Sequence, residues 1–413
     1  MSARTLLKDG CVLTLGSHTP NFNRADVLID GGRIAEISPH LRARDAQQVD
    51  ATDTIVMPGF VDAHRHSWRT LFRNLDGMAG GEGLRAASFT PSDVYAASLV
   101  GLMGALETGI STVVDWLDPQ ATPENLDAAL EAHRDSGART VAVISSAFAP
   151  ETIRNVVGSG TNRTTIAFGA ESSAGWDVAR ESGWRIHHHV TADGAGAVSA
   201  LGREGLLGPD VTLIHCTNAD DSDIGAIAGA GSTVVLTPAS EMAGGMGSPP
   251  IQRLIDNGIR PGLGVGSEAT APGDMFAQMR ATNSLQHAAM FDLKLSGKSG
   301  LPQLLTTRDV IKYATVDSAA AIGMASSIGS LEPGKQADIV VLRTDLPNIH
   351  PVNDPIGAVV WGMDTSNVSW VFVGGEPLVR EGALVAGHTR ARDLAVTSQR
   401  RLVAELSGAG EAT

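Results

Sequence analysis

Cysteine is scarce in this chain: only Cys11 and Cys216 occur in 413 residues. Two thiols cannot build a disulfide framework or a thiolate zinc site. Clusters of Lys and Arg are missing as well, and the formal net charge is -14. A surface that gathers phosphates needs concentrated positive charge, so nucleic acid and anionic membranes are not expected partners. No apolar run is long enough to span a bilayer, and the opening Met-Ser-Ala-Arg-Thr-Leu-Leu-Lys-Asp lacks the apolar core of a signal peptide. The expectation is a cytoplasmic enzyme with a small-molecule substrate, assembled as a homo-oligomer of two or more copies. Glycine, by contrast, is abundant at 47 residues, which suits many tight connections between short elements.

The chain is too long for one small core and fits one large domain plus a smaller one. Thr5–Leu15, Ala25–Ile29 and Arg33–Ile37 read as short strands, with Gly31-Gly32 turning between the last two. After Pro58-Gly59 the rhythm changes to apolar strands separated by helical patterns. Eight strands are expected, at Phe60–His64, Ser111–Trp116, Arg139–Ser145, Thr165–Gly169, Arg185–Thr191, Thr212–Cys216, Thr233–Thr237 and Arg260–Val265. Between them, Ser92–Thr108, Pro123–Ser136, Gly194–Leu206, Asp221–Ala230 and Pro250–Asn257 read as helices, with Ser92 and Asp221 in N-cap positions. Strands alternating with helices imply parallel pairing, and the number and size of the units match a (β/α)8 barrel. A doubly wound open sheet would carry a Gly-rich phosphate turn after its first strand, where this chain carries histidines. Short strands return at Ala337–Leu342, Val368–Val373 and Leu378–Glu381. The expected organisation is therefore an α/β TIM barrel over 58–331, a small discontinuous β-sandwich domain from 1–57 plus 332–387, and a helical tail over 388–413.

The strongest local signal is Pro58-Gly59-Phe60-Val61-Asp62-Ala63-His64-Arg65-His66. Residues two apart on a strand share a face, so His64 and His66 are expected to point together into the barrel at the strand's C-terminal end. Barrel enzymes place their chemistry there. Two imidazoles converging on an apolar interior make poor packing but good metal ligands. Asp115 and Trp116, ending the second strand, also point to the mouth. The stretch Ser67–Phe89 holds Trp68, Arg69, Phe72, Arg73 and four glycines; it reads equally as a lid over a planar substrate or as a packed surface loop.

This first-strand motif resembles that of the amidohydrolase superfamily, in the branch of cytosine deaminases and triazine hydrolases. Gly329-Ser330-Leu331-Glu332-Pro333-Gly334-Lys335-Gln336-Ala337-Asp338-Ile339-Val340-Val341 resembles the family's re-entry into its small β-domain, and Ala314 to Gly323 its last barrel helix. The resemblance spans nearly the whole chain. It implies a barrel holding one divalent metal ion, zinc before iron or manganese, on His64, His66 and a third histidine in Ile186-His187-His188-His189-Val190. His189 falls on the motif; His187 shares its face and could serve instead, while His188 should face the helical layer. His215 matches the histidine that contacts the metal-bound water or the substrate, which makes it a catalytic candidate.

The chain departs from the family at two carboxylates. Ala192 stands where the fifth-strand motif has a proton-shuttling Glu, and Gly266 stands where the eighth strand ends in a metal-binding Asp. Glu268, two residues on, is the expected catalytic substitute, and Glu241, just past the seventh strand, joins Trp68 and Asp115 as an expected substrate contact. The implied reaction is metal-dependent hydrolysis of a C–N or C–halogen bond of a small heterocycle, in the class acting on carbon–nitrogen bonds other than peptide bonds. A non-hydrolytic lyase, dehydratase or cyclase on the same scaffold, or a weakened ligand-binding paralogue, are the alternatives that the two departures keep open.

Overall fold

The computed structural model describes residues 4–75, 88–117, 121–148, 150–155, 160–170, 172–190 and 196–410. Ala192 and the 76–87 part of the expected lid lie outside these residues. Two sheets organise the chain. The first uses β1 (Thr5–Val12), β2 (Phe22–Asp30), β3 (Arg33–Ser38), β4 (Gln47–Asp50) and β5 (Thr54–Pro58) from the N-terminal end. The second is an eight-stranded parallel sheet in sequence order. Its strands are β6 (Phe60–Arg65), β7 (Ile110–Leu117), β8 (Arg139–Ser145), β9 (Thr164–Ala170), β10 (Ile186–Val190), β11 (Val211–His215), β12 (Thr233–Leu236) and β13 (Gly262–Leu263). From the C-terminal end β14 (Ile339–Arg343), β15 (Val368–Val373), β16 (Glu376–Arg380) and β17 (Ala383–Leu384) rejoin the first sheet. There β14 pairs antiparallel with β5, giving one continuous nine-stranded sheet that branches at β1.

Each sheet has its own apolar filling. Val61, Ala63, Val114, Trp116, Val141, Val143, Ala167, Ile214 and Val235 pack inside the parallel sheet, as expected when every second residue points inward. The floor is closed by the helix Val316–Ala321, where the Ala321 carbonyl accepts from the hydroxyls of Thr212 (2.7 Å) and Thr233 (2.8 Å). Leu7, Val27, Ile29, Val56, Ile339, Val341 and Phe372 form the separate core of the nine-stranded sheet. At the junction Arg139 on β8 grips Asp338, Nε to Oδ2 at 2.6 Å and Nη2 to Oδ1 at 3.0 Å, with both side chains buried. Among the described residues no helix is long and apolar enough to cross a membrane.

Gly266 closes the barrel. Its N–H donates to the His64 carbonyl at 2.8 Å and its carbonyl accepts from the His66 N–H at 2.8 Å, bridging the eighth strand to the first. Gly266 has φ +74, a left-handed conformation that costs glycine little and other residues more.

Some expected boundaries shift. Thr90, not Ser92, caps the helix Pro91–Glu107, because Pro91 takes the first helical position and Asp93 completes a capping box. Asp220 rather than Asp221 caps Asp221–Ala230 in the same way. The tail helix runs over Thr389–Gly410 and docks through buried Leu402 and through Arg401, which reaches Asp93.

Candidate metal centre

The strand β6 carries an irregularity that decides which side chains face inward. Between Asp62 and Arg65 its register slips against β7, with three residues on β6 matched to two on β7. Such a bulge turns neighbouring side chains to one face. Val61 and Ala63 face the barrel core, and His64 then joins that side in place of Arg65. His66 is not on the strand, as simple alternation had it. It lies just beyond Arg65 and begins the 3-10 turn Ser67–Phe72.

On the facing strand β10, His187 and His189 point inward while His188 points outward. The His188 ring packs on Trp176, and its Nδ1–H donates to the Ala170 carbonyl at 2.7 Å. His189 reaches the mouth, where its Nε2 lies 3.2 Å from His64 Nε2. One nitrogen from each of His64, His66 and His189 lies within 4.8 Å of the others. His187 sits fully buried below, and neither of its ring nitrogens has a partner among the described residues. Burial, with the charge of nearby Arg185 and His189, pushes its pKa down to about 3. His187 therefore stays outside the cluster, and His189 is the third member.

These three rings suit a divalent cation. Burial and, behind it, the neighbouring charged groups hold His64 and His66 well below the usual histidine pKa, so both are neutral and offer lone pairs. His64 Nε2 and His189 Nε2, 3.2 Å apart, must have either a proton or a cation between them. Three imidazoles with an open side are a donor set that favours zinc. Trp116 walls the cluster, its ring centroid 4.0 Å from that of His189. Trp68 packs edge-on to His66 with centroids 6.2 Å apart and carries Arg69 over its face.

His215, the last residue of β11, has its ring 5.6 Å from both His64 and His189. Alternation alone would turn it outward, since Ile214 points into the barrel. Left-handed backbone at His215 (φ +74) and Cys216 (φ +56) swings the ring to the mouth and leaves Cys216 in the outer core, where burial raises its thiol pKa. Such strain in non-glycine residues concentrates at functional sites. Behind the ring, His215 Nδ1 lies 3.0 Å from Glu241 Oε1.

Three expected placements are corrected. Asp115 does not face the substrate; it points into the helical layer, accepting from the Ser67 N–H at 2.9 Å, from the Ser67 hydroxyl and from His133 Nε2–H at 2.9 Å. Position 116 takes the inward face of β7, so 115 must take the other. Glu268 does not reach the histidines either. It accepts from the Thr70 hydroxyl and lies 3.5 Å from Nη1 of buried Arg65, which Asp62 also holds at 2.6 Å. The bulge sends Arg65 outward, and Glu268 follows the charge. Glu241 is buried behind His215 instead of lining open space. Thr237 and Ser240 were not anticipated: a Cβ on Gly266 would meet Thr237 Cβ and the Ser240 side chain at 3.1 Å. The legible hint was Thr237-Pro238 followed by Glu241, a helix start whose acid returns to the Thr237 N–H at 2.8 Å.

The chain matches the model of the amidohydrolase family over residues 55–174 and 116–378. It belongs to that family. A 5-methylthioadenosine/S-adenosylhomocysteine deaminase of Symbiobacterium thermophilum is 27% identical over 90% of this chain and 92% of its own length. A 5'-deoxyadenosine deaminase of Methanosarcina mazei is 28% identical over 92% and 93%. The fold is shared with atrazine chlorohydrolase from Arthrobacter aurescens complexed with zinc, at TM-score 0.84 and 23% identity over 96% of this chain and 100% of that one. Family membership makes the chain a metal-dependent hydrolase that acts on carbon–nitrogen bonds other than peptide bonds.

Proposed function

We propose that this amidohydrolase removes an amino group from a small nitrogen heterocycle, with one zinc ion held by His64, His66 and His189 and a proton carried by His215. The observation that carries the reading is the convergence of two buried imidazoles and one half-buried imidazole within 4.8 Å at the mouth of the barrel. The deaminase relatives support an aminopurine nucleoside as substrate class. A divalent ion on three neutral ligands acts as a Lewis acid and acidifies water bound to it.

The protein's own part is positioning and proton transfer. Trp116 and Trp68 close the site with flat apolar faces suited to a planar ring. Hydrolysis forms a C–O bond from water, breaks the C–N bond and releases ammonia. His215 Nε2 takes one water proton and returns it to the departing nitrogen, help usually worth ~10²–10⁴-fold. Gly266 offers no carboxylate, so this proton transfer falls to His215.

Elemental analysis is the first test: wild type should carry about one zinc per chain, as three histidines and an open position imply, and the His64→Ala, His66→Ala double variant should carry far less. Equal metal in both would sink the ligand set. Zinc-loaded enzyme supplied with 5'-deoxyadenosine or methylthioadenosine in ¹⁸O-water should release ammonia and a labelled product. Turnover without solvent oxygen in the product would overturn the deamination reading.

A further inference from the structure

Glu241 is fully buried, yet only one of its oxygens is engaged by described groups. Oε1 lies 3.0 Å from His215 Nδ1 and accepts from the Thr237 N–H at 2.8 Å and from the Thr237 hydroxyl at 3.4 Å. Oε2 has no partner among the described residues. A buried carboxylate with one oxygen unpaired is costly to keep and calls for a role beyond packing.

We propose that Glu241 is the positioning residue of His215: it fixes the Nδ1–H tautomer and so turns an unprotonated Nε2 toward His64 and His189. A neutral imidazole has one donor and one acceptor nitrogen, and the partner of the donor decides which is which. Carboxylates commonly set the tautomer of working histidines in this way. Here the partner sits on the helix Pro238–Ala243, the same element whose Ser240 fills the space beside Gly266. Ser240 is itself tied down, its hydroxyl 2.6 Å from that of Thr270. One short helix thus occupies the room an eighth-strand aspartate would need and delivers a carboxylate to the cluster indirectly, through His215. The left-handed backbone at His215 and Cys216 is the strain that brings the ring between Glu241 and the other histidines.

The inference rests on the reading of His215 as the proton carrier, but its test needs neither substrate nor turnover. Zinc-loaded protein with ¹⁵N-labelled histidine is studied by long-range ¹H–¹⁵N correlation at neutral pH, and His215→Asn identifies the His215 signals among the 12 histidines. Wild type should show His215 as the Nδ1–H tautomer. Glu241→Leu should move it to the Nε2–H form or a mixture, while Glu241→Gln, whose amide oxygen still accepts from Nδ1–H, should restore it. An Nε2–H tautomer in wild type overturns the proposal, whether or not the leucine variant folds. An unchanged tautomer in folded Glu241→Leu overturns it too. Zinc content read on the same samples keeps the two ideas apart: absence of zinc with an Nδ1–H His215 defeats the metal reading alone.

Discussion

At Gly266 a catalytic question and a backbone question meet. The position lacks a carboxylate, and the structure shows why one cannot simply be put back. The residue closes the barrel in a left-handed conformation, with Thr237 and Ser240 at 3.1 Å from where a Cβ would lie. Gly266→Asp should therefore lower stability by ~2–4 kcal/mol, through left-handed strain and overpacking, without raising zinc content. Thermal unfolding and metal analysis of the purified variant check both parts; a variant as stable as wild type with tighter zinc would contradict the account. Glu268 was the natural substitute on sequence proximity alone. Its direction is set by Arg65, a buried cation that needs compensation more than the histidines need a neighbour.

Among the elements, the turn Ser67–Phe72 carries the most consequence, since it follows His66 and bears Trp68. Asp115 anchors it from the outer side of β7 through Ser67 and ties it to His133 on the helix Pro123–Ser136. Removing Asp115 leaves three donors unpaired in a buried setting. Asp115→Ala should cost ~3 kcal/mol by the usual penalty for unsatisfied buried groups. Denaturant unfolding should show the loss as a lower midpoint with an unchanged slope. Much of this level was legible beforehand: the eight strand positions follow from apolar runs and glycine punctuation. Their facing was less legible, because β6 bulges and β11 ends in left-handed residues, and each event resets the alternation on which facing rests.

Across the whole molecule, the nine-stranded sheet is seated on the barrel by the chain crossing at Gly59, by apolar residues such as Met57 and Val340 that share a core with Phe60 and Ile110, and by the buried pair Arg139 and Asp338. Gly59 donates to the Asp338 carbonyl at 2.9 Å where β5 hands over to β6, and Arg139 clamps the Asp338 side chain, which also accepts from the Gly374 N–H at 2.7 Å. Asp338→Ala would strand a buried guanidinium, at a cost of ~3–5 kcal/mol. Calorimetry should show the loss as a lower Tm. A Tm within error of wild type would mean that the pair carries no weight in joining sheet to barrel.

The sequence by itself determined the barrel, the β-rich segments at both ends and the histidines worth watching, because all three are written in local pattern: alternation, turn residues and short motifs on predictable strands. Tertiary structure alone decided where the charged groups point. Arg65 draws Glu268 away from the cluster, Ser67 and His133 claim Asp115, and Glu241 reaches the histidines only through His215. Those outcomes depend on pairings between residues far apart in the chain, and in a dry interior a charge goes to its partner whatever its neighbours in sequence suggest.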